Sequence, residues 1–130
     1  MIVEQHRCRV WQLDGLQTPV RAARRHTMQA LDDWRLTADT DSAILLVSEI
    51  VTNAFSHGAP PVLLQLSATA TALQVAVSDA CPTPPERRES GEGGGFGLGI
   101  IEALAKVTVH QRPDGKLITA VMDLSDGNRD

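Results

Sequence analysis

The sequence is poor in cysteine: Cys8 and Cys81 are the two in 130 residues, too few for a disulfide framework or a zinc site. It has no basic excess either. Twelve Lys and Arg stand against 16 Asp and Glu, and the net charge of -4 argues against a dedicated nucleic-acid binder. No apolar run approaches the roughly 20 residues of a membrane-spanning helix. The opening residues, MIVEQHRCRV, lack the basic flank and long apolar stretch of a signal peptide, so the cytoplasm is the expected address. The phosphate loop GxxxxGK[ST] is absent, as is a strict GxGxxG following a strand. HExxH, GxSxG and CxxC are missing too, which removes zincin, α/β-hydrolase and thiol-redox chemistry. There is no internal repeat and no dividing linker. A single domain over residues 1–130, with its core at about 9–124, is the expected organisation.

What is present is ordinary in bulk and unusual in one place. Hydrophobic residues at 42% and charged residues at 22% match a soluble globular chain with little disorder. Six of the ten glycines, however, fall between Gly91 and Gly99, and Pro82, Pro84 and Pro85 lie just before them. That cluster predicts a long irregular segment over residues 79–96, and loops of such length in compact domains are usually functional or disordered.

Hydrophobic spacing predicts the remaining elements. A short strand covers residues 9–13. Thr18-Pro19 starts a helix that runs to Trp34, with Val20, Ala23, Met28, Leu31 and Trp34 on or near its buried side. A second helix spans residues 41–57; its centre, AILLVSEIVTNAF, is apolar on nearly every side and predicts burial on more than one face. Gly58 and Pro60-Pro61 end it. Strands follow over 62–68 and 72–78, then a helix over 98–105 and strands over 107–111 and 117–124, with Asp114-Gly115 as a hairpin signal. The order predicts an α+β fold: a two-layer sandwich with a mainly antiparallel sheet and about three helices on one face.

Three places could carry chemistry. Glu49 and Asn53, four apart on the most apolar helix, share a face about 6 Å apart; they are either a solvated strip or a polar pair facing a cavity. His57, two turns beyond Glu49, lies on the same side. Asp79 closes the strand LQVAVSD, either starting a turn or offering its carboxylate to a ligand at the strand end. GEGGGFGLGII runs straight into a helix, either as an idle flexible loop or as backbone that lets amides approach a phosphate.

Taken in order, SEIVTNAFSHG, VSDACP and GGGFGLGI resemble the N, G1 and G2 boxes of the GHKL ATPases, the superfamily of gyrase, Hsp90, histidine kinases and MutL. The short length and the segment RAARRHTMQALDDW resemble, within it, the anti-sigma-factor serine kinases of the RsbW and SpoIIAB type. The likeness covers about residues 9–124. It implies the Bergerat fold, ATP and Mg2+ as cofactors, and a role in transcription regulation. By resemblance Glu49 is the general base that accepts a substrate hydroxyl proton, and Asn53 coordinates Mg2+. Asp79 accepts a hydrogen bond from the adenine amine. Gly95, Gly97 and Gly99, with the intervening Leu98, wrap the phosphates and hinge a lid. A threonine on the last strand commonly supports the adenine, and Thr119 is its match.

The G1 box departs from the family pattern: Asp79-Ala80-Cys81 replaces Asp-x-Gly, and cysteine does not take the positive φ that glycine takes freely. The resemblance implies a protein-serine kinase that binds a sigma factor and phosphorylates an anti-anti-sigma (STAS) protein, with a homodimer as the family's common state and neither nucleic acid nor membrane as a direct partner. The alternative is a non-catalytic ATP-binding module that sequesters a regulatory partner. A histidine-kinase fragment is disfavoured because the dimerisation and phosphoacceptor helices are missing.

Overall fold

In a computed structural model of the chain, residues 7–36, 39–82 and 99–124 are described. The elements run β1 (Arg7–Gln12), α1 (Pro19–Trp34), α2 (Thr40–His57), β2 (Leu63–Ala68), β3 (Ala72–Asp79), α3 (Gly99–Leu104), β4 (Lys106–Arg112) and β5 (Gly115–Asp123). The five strands form one sheet in the order β1-β2-β3-β5-β4, antiparallel throughout. This is the expected α+β architecture, an antiparallel sheet with three helices, as in the Bergerat fold.

Alternation decides which face of the sheet the helices cover. Leu64 and Leu66 on β2, Leu73, Val75 and Val77 on β3, and Ile118, Ala120 and Met122 on β5 are all buried. The register aligns them in rows across the sheet, Leu64 beside Val77 and Val77 beside Ile118. α2 lies over this surface with Leu46, Val47, Ile50, Val51 and Ala54 buried. α1 packs against α2 and α3 contacts both α2 and β4, so the near-continuous apolarity of α2 follows from neighbours on several sides.

Polar ties fix α1 in place. Arg24 Nε donates to Ser48 Oγ on α2 at 2.8 Å, and Arg9 on β1 pairs with Asp33 at 2.8 Å. Trp11 on β1 stacks on His26, ring centroids 4.9 Å apart. One expectation for this helix fails: Met28 is 55% exposed, while Thr27 is buried. The Thr27 hydroxyl donates to the Ala23 carbonyl at 2.8 Å, which satisfies its polarity inside the core.

The β4–β5 turn also differs slightly from expectation. Arg112 pairs directly with Gly115, so Pro113-Asp114 form the two-residue turn and Gly115 opens β5. The glycine is required by packing, because a Cβ there would collide with the Asp79 carbonyl oxygen.

Asp14 anchors the chain where β1 ends beside the entry to β2. Its carboxylate accepts the Val62 N–H at 2.8 Å and the Gln12 amide at 3.0 Å. These bonds, the Val62 one first, hold its carboxyl below the usual aspartate range. A carboxyl with a depressed folded pKa stabilises the fold above its unfolded pKa and loses that contribution as pH falls through the folded value. Asp14→Ala is therefore expected to be less stable than wild type at neutral pH, with the gap closing well below pH 3.8. Chemical denaturation at both pH values checks this; a gap unchanged in acid would contradict it.

Candidate functional site

α2 carries the first part of the site. Glu49 and Asn53 are both half-buried, one turn apart on one face. Among the described residues Glu49 has no hydrogen-bond or ion-pair partner. The Asn53 Oδ1 atom is buried and has no hydrogen-bond partner among the described residues. An unpaired buried acceptor is unusual in a native fold and calls for an explanation. An oxygen donor of this kind fits Mg2+, which takes few protein ligands and fills its octahedron with water and phosphate oxygens.

The end of β3 carries the second part. Asp79 reaches the C-terminus of α2, where Gly58 lies so close that a Cβ on it would stand 2.5 Å from Asp79 Cγ and 2.6 Å from Oδ2. Only glycine lets helix end and strand end meet this way. Ala80 N–H donates to the Ala59 carbonyl at 2.7 Å and locks the same junction. Along the α2 axis, Gly58 and Glu49 are nine residues apart, about 13 Å at 1.5 Å per residue. Asp79 thus lies at the C-terminal end of α2 and Glu49 about 13 Å along its axis, with Asn53 between them in axial position.

The Asp79 carboxylate has a partner that sequence reasoning missed. Lys116 Nζ lies 3.1 Å from Asp79 Oδ1, and the two side chains are 0% and 2% exposed. The same ammonium donates to the Cys81 carbonyl at 3.3 Å, and Cys81 N–H donates to Asp79 Oδ1 at 2.8 Å. The turn that lacks the expected glycine is therefore closed by an Asp side chain and a lysine. A cavity of about 270 Å³ flanks this pair, lined by Pro61, Leu63, Ser78, Asp79, Arg112 and Lys116 among others. None of its lining comes from α2, so it opens on the hairpin side of Asp79 rather than along the Glu49–Asn53 row.

Thr119 is not brought to Asp79. It pairs with Ala76 and Thr108, whereas Asp79 pairs with Lys116. Three residues separate Lys116 from Thr119, and odd spacing on a strand sends side chains to opposite faces. Gly99 begins α3, which packs on α2. Gly95, Gly97 and Leu98, and with them the expected lid, lie outside the described residues. His57 is exposed at the last turn of α2.

The profile of the histidine kinase-like ATPase domain matches residues 15–122. The chain belongs to this family. Nucleotide binding goes with that membership. Among solved structures, the RsbU and RsbW domains of Rv1364c from Mycobacterium tuberculosis match with a TM-score of 0.67 at 20% identity. The match covers 88% of this chain and 32% of that one, so the chain spans about a third of that protein's length, and the likeness is one of fold. No curated protein matches the chain. No helix among the described residues is long and apolar enough to cross a membrane.

Proposed function

We propose that this histidine kinase-like ATPase domain is an ATP-dependent protein-serine kinase that also binds a sigma factor, with a serine on a STAS protein as its substrate. The observation that carries the reading is the α2 row: Glu49 without a partner among the described residues, one turn from a buried, unpaired Asn53 Oδ1, on a helix whose end abuts Asp79.

Mg2+–ATP, when bound, supplies the phosphoryl group and the charge neutralisation for its transfer. Asn53 Oδ1 would hold the metal, Asp79 would accept the amine of the base, and the G2 residues Gly95, Gly97, Leu98 and Gly99 would contact the phosphates. Glu49 accepts the proton from the serine Oγ as that oxygen takes the phosphoryl group and ADP leaves. Phosphoryl transfer asks a protein mainly for such positioning and charge placement, not for covalent steps. Thr119, on the far face of the sheet from Asp79, takes no part. β1 is an edge strand, which suits the homodimer that the resemblance implies.

Incubation with γ-labelled ATP and STAS proteins of the same organism tests the reading. Label on a STAS serine is the expected result, and no transfer to any of them would overturn the kinase assignment. The second reading, a binding module without transferase activity, draws support from the Lys116–Asp79 pair and from Cys81 in the G1 turn; it predicts ATP binding with no transfer.

Asn53 has its own test. Its removal is expected to abolish the magnesium-dependent part of nucleotide stabilisation while leaving the metal-free part. Melting temperatures of wild type and Asn53→Ala with ATP, in magnesium and in EDTA, read this directly. A variant that keeps the full magnesium increment would remove Asn53 from the metal site.

A further inference from the structure

We infer that Lys116 is a positioning residue for base recognition: it holds one oxygen of Asp79 so that the other is presented to the exocyclic amine of a purine. The inference rests on the nucleotide reading of the site. A free Asp carboxylate rotates about its terminal torsion and offers two equivalent oxygens. Here the two are made different. Oδ1 takes the Lys116 ammonium at 3.1 Å and the Cys81 N–H at 2.8 Å, which fills its ordinary acceptor capacity. Oδ2 faces Gly58 at the end of α2, the helix that carries Asn53 and Glu49.

The lysine is a poor direct reader of the base, because an ammonium has no acceptor for an amine and this one already donates to Asp79 Oδ1 at 3.1 Å. It acts through Asp79 and through the Cys81 carbonyl at 3.3 Å. That second bond closes the turn at the position where the family's glycine is missing. Burial makes the pair hard to open, since separating two desolvated opposite charges leaves both uncompensated. The base amine therefore has Oδ2 as its acceptor, and Lys116 determines that choice.

The test compares ATP with purine riboside triphosphate, which lacks the exocyclic amine, by calorimetric titration of the full chain. Wild type is expected to prefer ATP by tenfold or more. Lys116→Met is expected to weaken ATP binding by at least that factor and to bind the two nucleotides within threefold of each other. A lysine that only supports the fold would lower both affinities equally and leave the preference intact, which would overturn the inference. Tighter ATP binding by the variant would overturn it too, since Lys116 would then compete with the base. Equal binding of both nucleotides by wild type would show that Asp79 does not read the amine and would also refute it. Wild type that binds neither overturns the nucleotide reading and the inference with it. Should Lys116→Met fail to fold, Lys116→Gln gives the same ratio, because its shorter neutral amide does not hold Oδ1 as the ammonium does.

Discussion

Glu49→Gln is expected to slow transfer to a STAS serine by about 10²–10⁴, the usual cost of removing a general base. The amide is close to isosteric with the carboxylate and cannot take the serine proton. Glu49 is half-buried and has no partner among the described residues, so no ion pair is broken, and melting temperature and ATP affinity should stay near wild type. Transfer rates, ATP titration and thermal melting on the same preparations check all three. A variant within threefold of wild type in transfer would take Glu49 out of the mechanism. Joint loss of stability and ATP binding would instead make Glu49 a structural residue of α2.

The largest effect on stability is expected at Asp79. Its carboxylate and the Lys116 ammonium are 2% and 0% exposed, so Asp79→Ala leaves a cation buried without its counter-ion. Removing one partner of a buried pair costs about 3–5 kcal/mol, which for a chain of this size corresponds to a fall in melting temperature of roughly 10–20 °C. Replacing both partners removes the uncompensated charge, so Asp79→Leu combined with Lys116→Met should be more stable than Asp79→Ala alone. Urea denaturation of the three proteins measures this. A loss below about 1 kcal/mol in Asp79→Ala would mean that the pair does not hold the β3–β5 junction.

Most of the architecture was legible because period and punctuation agree. Short apolar runs over 72–78 and 117–124, bounded by turn residues, predicted strands, and the sheet buries one row of each, Leu73, Val75 and Val77 beside Ile118, Ala120 and Met122. The apolar centre of α2 predicted burial on several faces, and α1, α3 and the sheet supply them. Met28 misled because hydropathy ranks it above Thr27. At 3.6 residues per turn it stands about 140° around α1 from Ala23, outside the arc of Ala23, Thr27, Ala30 and Leu31, while an intrahelical bond makes Thr27 acceptable inside.

The motif residues Glu49, Asn53 and Asp79 stand out in the sequence because polar groups at those positions interrupt apolar patterns. Lys116 shares that property and was overlooked. It has the same parity as the buried Ile118, Ala120 and Met122, just as Asp79 has that of Leu73, Val75 and Val77. A lysine and an aspartate at the ends of two inward rows are a signal for a buried pair once the strands are known to be neighbours. That adjacency of β3 and β5 skips α3 and β4 in the chain, and local spacing does not encode it. The position of Thr119, on the opposite face of β5 from Lys116, is likewise set by the register of the hairpin and not by local spacing.

The claim that the α2 row and Asp79 form one Mg2+–nucleotide site is tested most directly by the melting temperature of the full chain with and without ATP and magnesium. A ligand at about 100 times its dissociation constant stabilises a fold by about 2.7 kcal/mol. For a chain of 130 residues that predicts a rise of roughly 10 °C, larger with magnesium than in EDTA. No shift at millimolar ATP and magnesium would contradict the site.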